Sequence, residues 1–149
     1  MISSKDILAI LVAKLRKELK NTYIECRDVK EGYRRGSIHI YFENLKASDY
    51  MKKFRETTLN VRIIYHPKKD EDIDEILTMQ EKLIQIFSDN PKIELLDGLV
   101  TEVLEVDSTE SDGDLLFNFD LYIFEEYPEK VSEMMGNLKI GGIKEYVNN

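Results

Sequence analysis

Cys26, His39 and His66 are the side chains best suited to nucleophilic chemistry, because a thiol becomes reactive when an imidazole can take its proton. Nothing in their spacing pairs them, and no third group is placed to orient a base. Histidines beside apolar neighbours, as in SIHIYF and VRIIYH, read as hydrogen-bonded structural residues. Two histidines and one cysteine also fit no zinc-binding spacing. The acidic run Asp107–Asp114 has some look of a calcium loop, with Ser108, Glu110, Asp112 and Gly113 at its first, third, fifth and sixth positions. Its twelfth position is Phe119, where a bidentate glutamate is required, so a solvated hairpin loop is the better account. Asp70, Glu71, Asp72, Asp74 and Glu75 are carboxylates that could pair as acid and base, but carboxylates at a helix start already answer the helix dipole. Glu31-Gly32-Tyr33-Arg34-Arg35-Gly36 lacks the lysine-serine pair of a phosphate cradle. No catalytic, cofactor-binding or metal site is predicted, and the expected protein is not an enzyme.

The elements that hold these residues are organised around Asn60–Phe87. Leu59, Val61, Ile63 and Tyr65 alternate with Asn60, Arg62 and Ile64, the period of a half-buried strand. Pro67 ends that strand. Ile73, Ile76, Leu77, Gln80, Leu83, Ile84 and Phe87 then form a helical stripe, with Asp72 and Glu75 spaced as a capping box. Upstream, Ser3 caps a first helix, with Ile2 and Ile7 as a staple and Leu8, Leu11, Val12, Leu15 and Leu19 on one face. A short edge strand follows at Tyr23–Arg27, then a second strand with Ile38, Ile40 and Phe42 on one face. Asn44–Tyr50 reads as a polar turn, and the third strand is predicted from Met51 to Tyr65 with a bend near Thr57–Thr58. Ser88–Pro91 stops the second helix, and Asp97-Gly98 marks a turn. Leu99–Asp107 and Leu115–Glu125 alternate on either side of Asp112-Gly113, a hairpin signal because glycine accepts positive φ. The expectation is one α+β domain over residues 1–149. It comprises one mixed or antiparallel sheet of about five strands, in the order α-β-β-β-α-β-β, packed by two helices. Residues 1–126 form its core and 127–149 a C-terminal arm. Met134, Met135, Leu138, Ile140 and Ile143 of that arm either cover the domain's own sheet or pack on another subunit.

Composition fits this size of core, with 149 residues and 42% hydrophobic content. The longest apolar run, Ile7–Ala13, falls far short of the ~20 residues that span a membrane. Lone Cys26 offers no intrachain disulfide, so folding in a cytoplasm is expected. Residues 1–75 hold 16 Lys and Arg against 13 Asp and Glu, net +3, while residues 76–149 hold 5 against 16, net −11. An acidic total argues against nucleic acid as the main ligand. The asymmetry reads either as a solvated acidic surface or as complementarity between copies.

EGYRRGSIHIYF after the short strand, FRETTLNVRIIYHP leading into the acid-capped helix, and MMGNLKIGGIKE near the end give an ordered set of motifs. In that order they resemble the tail terminator proteins of tailed phages and phage-like particles of Gram-positive bacteria. Gly36 departs from the proline common in relatives, and the acidic insert Ser108–Gly113 is longer than usual. The resemblance implies a virion structural protein that caps the head-proximal end of the tail tube as a hexameric ring. Such a ring stops tail polymerisation and forms the head–tail joining surface. Its implied partners are copies of itself, the tail tube protein, the tail sheath protein and the head–tail connector, with DNA only passing through the channel and no membrane. Assembly takes place in the host cytoplasm. The alternative is a small non-enzymatic protein-binding adaptor. Predicted partner contacts are the basic Arg34, Arg35, Lys52, Lys53 and Arg55, and the arm residues Met134, Met135, Leu138, Ile140 and Ile143.

Overall fold

The computed structural model describes residues 1–26, 34–96 and 98–128. Within them lie two helices and one six-stranded sheet. The first helix, α1 (Ser4–Glu18), starts where expected. The Ser3 hydroxyl accepts from the Asp6 amide at 3.1 Å, and the Asp6 carboxylate accepts from the Ser3 amide at 3.2 Å. Donors at the first turn are thereby satisfied reciprocally. Ile7, Leu11, Val12 and Leu15 are buried, flanked by buried Ile2 and Leu19, while Leu8 lies only at the margin of the core.

The sheet runs β1-β2-β3-β6-β5-β4. Strand β1 (Tyr23–Glu25) lies at an edge, parallel to β2 (Ser37–Tyr50), and the other pairings are antiparallel. Between β1 and β2, Gly36 holds φ +75, and a Cβ there would stand 2.8 Å from the Lys68 side chain. Proline, fixed near φ −65°, cannot take this backbone, whereas glycine takes it without strain. Strand β3 (Phe54–His66) forms a long hairpin with β2, and this corrects the reading of Asn44–Tyr50 as a turn. Those residues are strand, and the reversal comes at Met51 and Lys52, both at positive φ. The irregularity expected at Thr57–Thr58 lies on the facing strand, where register shifts between Glu43 and Lys46 and Asn44 has φ 54.

Helix α2 (Ile73–Phe87) buries Ile76, Met79, Leu83 and Phe87. Met79 rotates the buried stripe away from Ile73 and Leu77, which are exposed rather than part of the core as their spacing suggests. Asp72 accepts from the Glu75 amide, but Glu75 does not complete the box. Its carboxylate accepts instead from the Tyr65 hydroxyl and the Lys68 amide, each at 2.5 Å, and from the Lys69 amide at 3.3 Å. The end of β3, the Pro67 turn and the start of α2 are thus tied to one side chain.

Strand β4 (Lys92–Leu96), absent from the sequence expectation, forms the other edge, followed by β5 (Leu99–Ser111) and β6 (Asp114–Glu126). Asp112 and Gly113 make the predicted tight turn, at φ 51 and 83. Ser108–Ser111 is strand, not loop, and the Ser108 hydroxyl donates to Gln80 of α2 at 3.0 Å. Leu59, Val61, Ile63 and Tyr65 of β3 and Leu115, Phe117, Phe119, Leu121 and Ile123 of β6 are buried beneath the helices. Phe87 meets Phe119 with ring centroids 4.7 Å apart at the centre of this layer.

Candidate assembly interface

The structure brings the two histidines together but builds no nucleophilic site from them. His39 and His66 lie on facing strands, with ring centroids 5.2 Å apart and planes perpendicular. His66 is buried, and its Nδ1 lies 3.1 Å from the Asp114 carboxylate. Cys26 is exposed beyond the end of β1, in a groove shared with Arg16, Lys20, Tyr23 and Arg34 and with neither imidazole. Among the described residues no group of three His, Cys, Asp or Glu side chains is arranged to hold a metal ion.

The candidate surface is the face of the sheet turned away from the helices. Successive side chains of a strand point to opposite faces, so the partners of the core residues build it. Its middle is a polar lattice. Asn60 donates to Asp120 at 2.8 Å, Arg62 donates to Asn60 at 3.3 Å, and Arg62 is ion-paired with Glu43. The Tyr122 hydroxyl donates to Glu56 at 2.7 Å, and this hydrogen bond to a carboxylate holds the phenol above its ordinary pKa. Toward the hairpin end the face turns aromatic. Phe54 stacks on Phe124 with centroids 4.7 Å apart, and Tyr50 meets Phe124 edge-on at 5.7 Å. These rings are only partly covered: Phe124 is 40% exposed, Tyr50 46%, and Met51 at the tip 78%. Val100 and Leu104 of β5 continue the same face, half exposed.

The predicted contact residues are divided between the two ends of the sheet. Arg34 and Arg35 sit at the end opposite the hairpin tip. The Arg34 guanidinium lies 4.3 Å from the centre of the Tyr23 ring, and Arg35 pairs loosely with Asp70 at 3.6 Å. Lys52 and Lys53 are exposed at the tip, where the Lys52 amide donates to Asp49 at 3.0 Å. Arg55 is engaged within the subunit. It donates to the nearly buried Glu125 at 3.3 Å and to the Ile2 carbonyl at 3.2 Å, while Glu125 accepts from the Ile2 amide at 2.9 Å. This clamp fixes the chain entering α1 to the ends of β3 and β6. Met134, Met135, Leu138, Ile140 and Ile143 lie outside the described residues. Sequence reasoning overlooks Tyr50, Phe54, Tyr122 and Phe124. Their signal is present in β6, where Tyr122 and Phe124 are apolar at the phase opposite Phe119, Leu121 and Ile123.

A family model described as "Phage tail terminator protein" matches residues 6–133. The fold is similar to that of the sheath/tube terminator in the extended state of an extracellular contractile injection system. The TM-score there is 0.59 at 14% identity, over 87% of this chain and 58% of that one. This chain therefore spans little more than half that protein's length, and the likeness is one of fold. A second solved chain overlays more loosely, with a TM-score of 0.45 at 13% identity over 87% of this chain and 100% of that one. No curated protein matches the sequence.

Proposed function

Because the chain belongs to the phage tail terminator family, we propose that it caps the head-proximal end of a tail tube as a hexameric ring, halting tube growth and presenting the surface that joins the head. The observation that carries this reading beyond the family is the outer face of the sheet, where Tyr50, Met51, Tyr122, Phe124, Val100 and Leu104 leave apolar surface open to solvent. A rigid sheet with helices on one face and such a patch on the other suits a subunit that works by contact. The protein acts without making or breaking a bond, as a structural part of the tail. Its partners are further copies of itself, the tube protein, the last sheath ring where the tail contracts, and the head connector. The basic tip residues Lys52 and Lys53, the loop residues Arg34 and Arg35, and the arm from Met134 to Ile143 contribute to those contacts.

Tail length in a strain lacking the gene tests this directly. Overlong tails without heads, restored to uniform length by the wild-type gene, are the expected outcome, and normal tails in the deletion strain would overturn it. Within that assay, Ile140→Asp with Ile143→Asp should impair capping while the fold persists. Unfolding of that variant would place the two isoleucines in the domain's own core.

A further inference from the structure

The topology converts a property of the sequence into a property of space. Strands β1, β2 and β3 come from the first half of the chain and occupy one side of the sheet; β6, β5 and β4 come from the second half and occupy the other. The strands on the first side carry Lys46, Arg55 and Arg62 against Glu25, Glu43, Asp49 and Glu56, whereas those on the second carry Lys92 against nine carboxylates, so the acidic charge of the sheet is gathered on one side. Its acidic margin is formed by β4 and β5, where Glu94, Glu102, Glu105, Asp107 and Glu110 are exposed, with Asp112 in the turn that follows and Lys92 as the one cation of these two strands. On the opposite side the β2–β3 hairpin carries exposed Lys52 and Lys53 beside Met51 at its tip and Lys46 further along, while its carboxylates Glu43 and Asp49 are engaged by Arg62 and by the Lys52 amide. Both margins hold apolar surface beside their charges, with Tyr50 and Met51 on the hairpin and Leu96, Val100 and Leu104 on the acidic side. Each margin is also a sheet edge. Strand β4 is the last in the order, and β2 beyond His39 pairs only with β3 among the described residues.

We infer that the hairpin of one copy docks on the β4–β5 margin of the next, Lys52 and Lys53 facing Glu94 and Glu102 with Met51 seated against Val100 and Leu104. The occupant is a second copy of this chain because the lysines at the hairpin tip answer the carboxylate surplus of the β4–β5 margin, and both flanks offer apolar surface beside their charges. Docking surfaces on opposite sides of one sheet suit a head-to-tail contact, because a single two-fold interface cannot hold both sides against the same neighbour. A head-to-tail contact that closes makes a ring, so the inference rests on the proposed function and supplies its subunit contact.

The test uses charge exchange between copies. Lys52→Glu with Lys53→Glu makes the hairpin tip acidic, and Glu94→Lys with Glu102→Lys puts lysines, beside Lys92, where the tip docks. All four residues are exposed, so thermal melts of both variants should match wild type. Each variant alone should cap tails at least tenfold less well in the deletion strain and lose ring-sized species in native mass spectrometry of isolated tail caps. Expressed together they should recover, because copies alternating around an even-numbered ring meet with opposite charge at every contact. Normal capping by either variant alone, or no recovery when both are present, would overturn the contact. Either result leaves the terminator reading standing, since that reading falls only if the deletion strain makes tails of normal length.

Discussion

Strand β6 places two surfaces of similar chemistry on opposite faces of one sheet. On its inner face Leu115, Phe117, Phe119, Leu121 and Ile123 are all but inaccessible to solvent, while on its outer face Tyr122 and Phe124 are 39% and 40% exposed. Both faces are rich in aromatic carbon, so composition does not distinguish them. Covering does: α1 and α2 lie over the first, and no described residue lies over the second. A side chain of the inner face contributes to the stability of the subunit. One on the outer face keeps about two-fifths of its surface open, area that only contact with another molecule would bury.

The comparison is sharpest at Phe119, which packs against Phe87 and Phe117. Phe119→Ala should lower unfolding free energy by about 3–5 kcal/mol in urea titration, because the helix layer cannot collapse into the space of a lost ring. A loss under about 1 kcal/mol would mean that the layer closes over the gap. The next effect belongs to Glu75. Burial opposes its charge, but hydrogen bonds from the Tyr65 hydroxyl and the Lys68 and Lys69 amides outweigh it and hold the carboxyl below its ordinary 4.5. A pKa lowered by folding gives stabilisation that is present above about pH 4.5 and lost as pH falls through the lower folded value. Glu75→Gln should therefore cost about 1–2 kcal/mol at neutral pH, with exposure holding the figure down, and the gap from wild type should narrow as pH falls below 4.5. A gap that does not change with pH would assign the loss to packing.

The inner face is legible in the sequence for the same reason that it is stable. Burial on one side forces alternation, and alternation locates β3, β6 and the Asp112-Gly113 turn. Where burial stops, so does the signal. Beyond Phe42 the residues of β2 are solvent-exposed on both faces, since the hairpin extends past the helices, and a strand with neither face covered has no period to read. Strand β4 is a short edge strand whose Lys92-Ile-Glu-Leu-Leu offers only two buried positions, too few to separate it from the turn around Pro91. Ile73 and Leu77 show the converse, being apolar at helical spacing yet exposed because Met79 sets the centre of the stripe. The candidate surface is legible only in part. Its lysines stand out as charge, whereas its aromatic rings sit opposite stronger core positions on the same strands and are masked by them.

The smallest effect on folding is expected at Phe124. It touches Phe54 and Tyr50 and is two-fifths open, so Phe124→Ser should lower stability by only about 1 kcal/mol, the scale of an aromatic pair. Assembly should suffer far more, since the ring lies at the centre of the outer patch and a serine removes the surface that a neighbour or tube would bury. Urea titration and tail capping, measured on the same variant, separate the two faces of β6. A destabilisation like that of Phe119→Ala would make Phe124 part of the core, and wild-type capping would show that the outer aromatics meet nothing. Only near-native stability with failed capping fits a strand that holds the fold together on one face and the assembly on the other.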